Sequence, residues 1–557
     1  MEKLAEQLKN IIKDLYELEL RPRITSSLGG HGDFSSNVAM QIAKEAGKAP
    51  REVAAEIAAK VEGADVEVAG PGFLNFTLKD DVLVWMLEES FKKDYYAYPI
   101  YQDKVVLTEF SDPNPFKVLH MGHLYTSVVG DSISRLMEYA GAKVYRLNFG
   151  GDVGMHVAKA MWGIMKQLGD KGVKGLDEVD TDSHKRAEWI SRCYVEGSNA
   201  YEDDEKSKAE IVELNQKIYG FHTQNDHESD MAQVYWKCRE WSYEYFEWFY
   251  EKIGVKFDKY YPESATSELG LETVKRELAN GVYTESDGAV VFVGEPYGLH
   301  TRVFINNKGL PTYEAKDVGL IFSKWEDYHF DKSIVITAGD IIEYMKVVLT
   351  SIKQYAPELV ERSMHLTHGI VKLPGMMKMS SRKGNFVTAV DVVNEVKETN
   401  EAEHEGADFA ITLGAIKYVL LKNKLGPDMM FDIKESVSLT GNSGPYLQYA
   451  LARAKSILRK ASGEAKDEKV VLDEWERTLV LKLLEWKEVI REAVDEVAPH
   501  VVCTYLYELA QTFSRFYEND KVVGGEKEKF RCELVQGYIN VLESGLTVLG
   551  VPTVEKV

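Results

Sequence analysis

Two histidines three residues apart, His120 and His123, flank Gly122 at the start of an amphipathic stretch. The β-rich run Val105 to Phe110 precedes them, followed by a loop broken by Pro113 and Pro115. A helix start carries unpaired N–H groups and a partial positive charge, which makes it a ready site for phosphate. Imidazoles placed there can donate to phosphate oxygens, and Gly122 has no side chain to keep a flat ring off the backbone. The chemistry implied is that of a nucleotide's phosphates. A metal pair or two surface histidines are the alternatives. Zinc, however, needs about four ligands, and no nearby Cys or acid cluster completes a set.

A second segment, residues 376–386, reads Met-Met-Lys-Met-Ser-Ser-Arg-Lys-Gly-Asn-Phe. Lys378, Ser380, Arg382 and Lys383 in a Gly-containing loop suit a pyrophosphate whose negative charge grows in a transition state. Alone, such a cluster reads as a solvated basic turn. Together, an HxGH helix start followed by a KMSxx loop resembles the two signatures of class I aminoacyl-tRNA synthetases.

Within that class the chain resembles the arginyl-tRNA synthetases over nearly its whole length. His31-Gly32-Asp33-Phe34-Ser35-Ser36-Asn37 and Gly70-Pro71-Gly72-Phe73-Leu74-Asn75-Phe76 are similar to the family's appended N-terminal domain. Glu109, Ser111 and Asn114, with Tyr313-Glu314-Ala315-Lys316-Asp317, match its arginine pocket. Asn442-Ser443-Gly444-Pro445-Tyr446-Leu447-Gln448-Tyr449 resembles its anticodon-domain signature.

The resemblance implies a two-step reaction. Arginine's carboxylate attacks the α-phosphorus of ATP, pyrophosphate leaves, and the tRNA's terminal adenosine takes the arginyl group. His120, Gly122 and His123 are expected at the ATP, and Lys378 with Ser380, Arg382 and Lys383 at the departing pyrophosphate with Mg²⁺. The family's second KMSKS lysine is replaced by Ser381. Some relatives carry a lysine just before HxGH instead, and Lys117 stands there as the expected substitute. Glu109 and Asp317 are the acids expected to grip the guanidinium in a fork geometry. Tyr313, four residues from Asp317, shares its helical face. Ser111 and Asn114 are assigned to the amino acid, and Asn114 to its backbone end. Asp340 is expected near the amine, because Asp340-Ile341 departs from the Gln or His usual there. His156 is a second departure, from a usual Gln. Phe73 and Asn75 are carried over as contacts to the tRNA D-loop, and Tyr446 and Tyr449 as contacts to the anticodon.

Composition agrees with a large enzyme. At 557 residues the chain is long enough for about four domains. A hydrophobic content of 45% and a charged content of 28% suit a soluble globular protein. The net charge of −22 argues against a general nucleic-acid binder. RNA contacts would need local basic patches such as Arg453, Lys455, Arg459 and Lys460. Cys193, Cys238, Cys503 and Cys532 are scattered, which suggests neither zinc nor a disulfide framework and fits a cytoplasmic protein. No apolar run approaches the ~20 residues of a membrane span. Nothing demands a dimer, so a monomer is expected.

The elements that must position these groups follow from pattern. Residues 1–100 read as a small α+β domain. Residues 101–389 read as a Rossmann-like, doubly wound catalytic domain that lacks a GxGxxG fingerprint, with a helical insertion over about 155–290. Its sheet resumes near Val290. The aromatic run Tyr235 to Tyr250 reads as a packed helix pair rather than a stacking platform for bases. Residues 390–557 read as an all-α bundle. Two other readings are weighed. A glutamate- or cysteine-specific synthetase should show basic residues or zinc ligands where this chain offers Glu109 and Asp317. A retired paralogue acting as an RNA-binding module should have lost His120, His123 or Lys378.

Overall fold

The computed structural model describes residues 2–26, 32–92, 94–372, 387–404, 408–461 and 470–555. The chain forms two compact units. One comprises Met1–Ala97, Arg453–Glu488 and Tyr507–Leu542; the other comprises Tyr98–Ala452, Val489–Leu506 and Glu543–Val557. The C-terminal helical stretch is thus divided between them.

The first unit holds an antiparallel sheet ordered Thr25–Ser26, Phe34–Ser36, Phe73–Leu78, Ala64–Ala69. Along Phe73–Leu78, Leu74, Phe76 and Leu78 point inward, the period-2 pattern of a half-buried strand. The Glu2–Tyr16 helix buries Leu4, Leu8, Ile11 and Ile12 along one stripe. Arg477 ties the unit's helical part to its α+β part, donating to Asp80 at 3.0 Å and also to Asp33.

The second unit is built on a five-stranded sheet ordered Ser363–His368, Lys332–Ala338, Val105–Glu109, Lys143–Gly150, Lys259–Pro262. Every pairing in it is parallel. The first strand in the chain is central, with later strands added to either side of it. The order therefore reverses between Val105–Glu109 and Lys332–Ala338, and ligands bind beyond the carboxyl ends of the strands at such a switch point. The Met121–Tyr139 helix crosses over next. Gly130 lets it lie on the strand end, since a Cβ there would sit 2.0 Å from the Phe110 ring.

Two sequence expectations need correction. The sheet does not resume near Val290. Ala289–Phe292 belongs to a separate antiparallel sheet with Thr284–Ser286 and Arg302–Ile305. The sheet resumes earlier, at Lys259–Pro262, so the helical insertion closes at the Asp230–Ile253 helix. A four-residue strand that starts on Lys and ends on Pro at a sheet edge carries almost no hydrophobic signal. The insertion helices Met155–Leu168, Ser183–Asp203, Glu205–Thr223 and Asp230–Ile253 enclose their own core, which includes Met161, Ile190, Cys193, Ile218, Tyr235 and Trp241. The aromatic run is packed, but on the single Asp230–Ile253 helix rather than on a pair of helices.

Candidate active site

The loop between Glu109 and the Met121–Tyr139 helix is strained and tied down. Ser111, Asp112 and Phe116 all adopt positive φ (73°, 49° and 68°). Each such non-glycine residue costs about 1–3 kcal/mol and persists only where its surroundings enforce it. The enforcing contacts come from the insertion's last helix. Ser242 Oγ accepts from the Phe116 N–H at 3.0 Å, Tyr245 Oη accepts from the Leu119 N–H at 3.4 Å, and the Ser111 and Tyr250 hydroxyls lie 2.8 Å apart. Asp112 accepts from the Phe149 N–H at 2.8 Å. The insertion thus fixes the backbone from which Ser111, Asn114 and Lys117 project.

At the helix start, His120 is the N-cap. Its Nδ1 accepts from the Gly122 N–H at 3.1 Å, and its own N–H donates to His123 Nδ1 at 3.1 Å. The two rings stack with centroids 3.8 Å apart. Since both Nδ1 atoms accept, each neutral ring carries its proton on Nε2, assigned here from the hydrogen bonds. Burial and the charge of nearby Lys117 hold the His120 pKa below the ordinary value. His123 is lowered as well, by burial, by His120 and by Lys117. The pair offers two Nε2–H donors without a standing charge. Lys117 Nζ sits 4.3 Å from the centre of the Tyr194 ring, which belongs to the insertion.

A second cluster is acidic and buried. Glu109 Oε2 accepts from Lys324 Nζ at 2.7 Å, and Glu263 Oε2 from Lys316 Nζ at 2.6 Å. All four side chains are at most 5% exposed. Asp317 accepts from the Tyr344 hydroxyl. Burial raises the Asp317 pKa to about 7, and the charges of Glu109 and Glu263 add to the rise. Asp112 is pushed well up by burial and by Glu109. Burial alone would lower the Lys316 pKa, but Glu263 and the Tyr219 hydroxyl reverse this and leave it raised. Four carboxyl groups thus face two lysines. A buried surplus of negative charge is costly unless a cation joins it, so the pocket suits a cationic ligand. Tyr313 stands beside it, 55% exposed, with Lys316 Nζ 5.1 Å from its ring centre.

Sequence reasoning reached Glu109, Asp317 and Tyr313 but missed Glu263, Lys316 and Lys324. It also missed the insertion tyrosines Tyr194 and Tyr219. Glu109 differs from expectation in being occupied by Lys324. Asn114 Oδ1 accepts from the Gly151 N–H at 2.8 Å, leaving its amide hydrogens as donors. Asp340 lies in an exposed turn, Gly339–Ile341, after the Lys332–Ala338 strand. Its charge acts on His368, which in turn contacts Thr126 of the HxGH helix at 2.9 Å. Lys378, Ser380, Arg382 and Lys383 lie outside the described residues.

Three segments match known family descriptions. Residues 2–78 match the arginyl tRNA synthetase N terminal domain, 89–433 the tRNA synthetases class I (R) catalytic domain, and 447–557 the DALR anticodon binding domain. The chain belongs to the arginyl-tRNA synthetase family. An arginine–tRNA ligase of Treponema denticola is 31% identical over 92% of this chain and 91% of its own length. That of Clostridium perfringens is 31% identical over 99% and 97%. The arginyl-tRNA synthetase structure of Thermus thermophilus superposes with a TM-score of 0.80 at 24% identity, covering 100% of both chains. That likeness speaks for the fold alone.

For the RNA-facing residues expected in this family, Phe73 is 40% exposed and Tyr449 is 42% exposed. Tyr446 is half-buried. Asn75 is only 7% exposed although it alternates with the inward-facing Leu74 and Phe76 and so shares the face of exposed Phe73, which makes Phe73 the better placed of that pair. The Arg453 guanidinium lies 4.8 Å from the Tyr517 ring centre. Among the described residues, the one group of acids spaced for a metal is Asp473, Glu476 and Asp520 in the first unit. Arg531 bonds all three and Lys527 bonds Glu476, which accounts for the grouping without a metal. No helix among the described residues is long and apolar enough to cross a membrane.

Proposed function

We propose that the protein is an arginine–tRNA ligase whose arginine pocket is the carboxyl cluster Glu109, Asp112, Glu263 and Asp317, with Asp317 and Glu109 towards the guanidinium and Glu263 towards the α-carbon beside Asn114. The observation that carries this reading is a surplus of two carboxyl groups, with buried Glu109 and Glu263 and half-buried Asp112 and Asp317 set against Lys316 and Lys324, at the sheet's switch point and one loop away from the HxGH helix start. Arginine's guanidinium is planar, always charged and bidentate, which is what Asp317 and its neighbours can satisfy. Tyr313 lies against the guanidinium. The Asn114 amide donates to the substrate carboxylate and turns it towards the α-phosphorus.

MgATP is the second substrate, with its cation arriving on the triphosphate. His120 and His123 donate through Nε2 to phosphate and ribose, and Gly122 leaves room for adenine. Lys117, held by Tyr194, supplies the charge that the KMSKS motif lacks at Ser381. Lys378, Ser380, Arg382 and Lys383 complete the pyrophosphate end. The protein forms and breaks no bonds to itself. It positions the carboxylate in line and stabilises charge on the leaving pyrophosphate. The adenosine hydroxyl of tRNA(Arg) then attacks the acyl carbon, with the RNA held through Phe73, Tyr446 and Tyr449. The use of ATP, tRNA and free thiols supports a cytoplasmic setting.

The test is ATP–pyrophosphate exchange with arginine, with and without tRNA(Arg), using lysine, glutamate and cysteine as controls. Exchange with arginine alone among the amino acids is the expected result. Exchange with another amino acid, or none in a folded protein that binds tRNA, would sink the reading.

A further inference from the structure

We propose that His156 accepts a hydrogen bond from the substrate's α-ammonium group, and so selects an amino acid over its deaminated analogue. The proposal rests on the arginine pocket described above. The Lys143–Gly150 strand ends beside the switch point and runs through Gly151 and Gly154 into the Met155–Leu168 helix. His156 Nε2 lies 2.6 Å from the Gly151 carbonyl oxygen. A carbonyl only accepts, so Nε2 carries the proton and Nδ1 keeps its lone pair. Burial and the cations Lys117 and Lys316 hold the ring neutral, with its pKa lowered to about 3. His156 is therefore a permanent acceptor, fixed in one tautomer by the backbone it stands on.

Its placement gives the lone pair a purpose. A Cβ on Gly151 would come 2.7 Å from Asn114 Oδ1, 3.0 Å from Glu263 Oε1 and 3.0 Å from His156 Cε1. Three polar side chains from separate parts of the chain thus converge on one bare backbone position. On the Nδ1 side stands Gly154, half-buried, with φ +111°. A Cβ on it would stand 3.7 Å from Nδ1, in ordinary contact, so glycine leaves this side of the ring uncovered.

The neighbouring groups divide the substrate's α-carbon between them. Asn114 Oδ1 is held by the Gly151 N–H, so its amide hydrogens face a carboxylate. Glu263 Oε2 is taken by Lys316, which leaves Oε1 as a second acceptor. Asp152, next to Gly151 in the sequence, is consumed by Arg239 at 2.9 Å and by the Ser264 N–H and hydroxyl. An ammonium group beside a carboxylate on Asn114 therefore meets two acceptors, Glu263 Oε1 and His156 Nδ1, of which His156 is the one held neutral and in a single tautomer by the Gly151 carbonyl. This moves the amine contact from Asp340, the sequence's candidate, to a residue one strand beyond Glu109 on the other side of the switch point.

The experiment uses the full chain with tRNA(Arg) and MgATP. It compares the KM for arginine with inhibition by agmatine, which keeps the amine but lacks the carboxylate, and by 5-guanidinopentanoate, which lacks the amine. For His156→Ala, the arginine KM and the agmatine Ki should each rise about tenfold. The 5-guanidinopentanoate Ki and the ATP KM should stay within about twofold. His156→Gln, whose amide can both donate to Gly151 and accept, should keep the arginine KM within about threefold. Parallel weakening of both inhibitors would overturn the proposal, because His156 would then merely shape the pocket. An unchanged arginine KM in His156→Ala would overturn it as well. A native enzyme that neither inhibitor competes with would take down the pocket reading itself.

Discussion

The two ends of the cleft solve the problem of holding charge in opposite ways. At the guanidinium end, carboxyl groups are buried first and left short of cations, with Glu109 and Glu263 paired and Asp112 and Asp317 forced upward in pKa. At the phosphate end, the histidines are neutral, stacked and fixed by two backbone hydrogen bonds, with one lysine beside them. The first end carries electrostatic stress that protons relieve when it is empty and a cationic ligand relieves when it is filled, which is a device for specificity. The second offers aimed donors that cost little when empty and gain most when charge develops, which is a device for rate.

The contrast breaks most visibly at Asp317. Asp317→Asn keeps the shape and an acceptor for Tyr344 but removes the charge. Losing one partner of a buried charge pair costs about 2–5 kcal/mol, so kcat/KM for arginine should fall on the order of 10³-fold. Binding of ATP should not change. Steady-state kinetics on the two substrates separately would show this. Equal losses on both would mean that Asp317 supports the fold rather than the pocket.

At the phosphate end the loss should fall on kcat instead. His123→Ala removes one donor and releases the His120 N–H that it holds. Removing a single aimed donor to a charged transition state costs roughly 10²-fold in rate. Pre-steady-state measurement of adenylate formation should locate the loss in that step, with the arginine KM nearly unchanged. A variant that raised the arginine KM instead would erase the proposed division between the two ends.

The division also has a pH signature. Asp317 has its pKa raised to about 7, so below that pH the empty pocket holds it protonated. A guanidinium requires the carboxylate, so binding releases a proton, and affinity rises with pH until Asp317 ionises unaided. The arginine KM should therefore climb about tenfold per unit as pH falls below about 7, and flatten above it. Asp317→Asn should abolish that slope. The phosphate end, whose histidines are already neutral, should add no such slope between pH 6 and 8.

What the sequence revealed divides along the same line. The phosphate end was legible because its parts sit together: His120, Gly122 and His123 share one helical turn. The guanidinium end was half legible. Tyr313 and Asp317 share a helix face and were found together. Glu263 was not, since an acid in a helix's first turn normally answers the helix dipole and signals nothing more. Its partner Lys316 is 53 residues away, and Lys324 is 215 residues from Glu109. Such pairs exist only once the parallel sheet has formed. The insertion was legible as helix from its spacing, but its role in holding the strained loop through Ser242, Tyr245 and Tyr250 is a matter of tertiary placement. The Lys259–Pro262 strand stayed hidden because four residues at a sheet edge carry too little pattern.

The smallest effect should lie outside the cleft, in the first unit. Phe73 is an exposed ring on the Phe73–Leu78 strand, while Asn75 two residues on is buried. Stacking of an unpaired RNA base on an aromatic ring is worth about 1–3 kcal/mol. With several other contacts sharing the load, Phe73→Ala should raise the KM for tRNA only about fivefold. Exchange kinetics for arginine and ATP at saturating tRNA should not move. Asn75→Ala, by contrast, should act on stability, seen as a lower melting temperature with little change in the tRNA KM. If Asn75 rather than Phe73 controlled the tRNA KM, the exposed ring would be a bystander. Recognition would then have to run through the backbone and polar groups of that strand, and the likeness between this surface and the neutral, donor-based phosphate end would be closer than the side chains suggest.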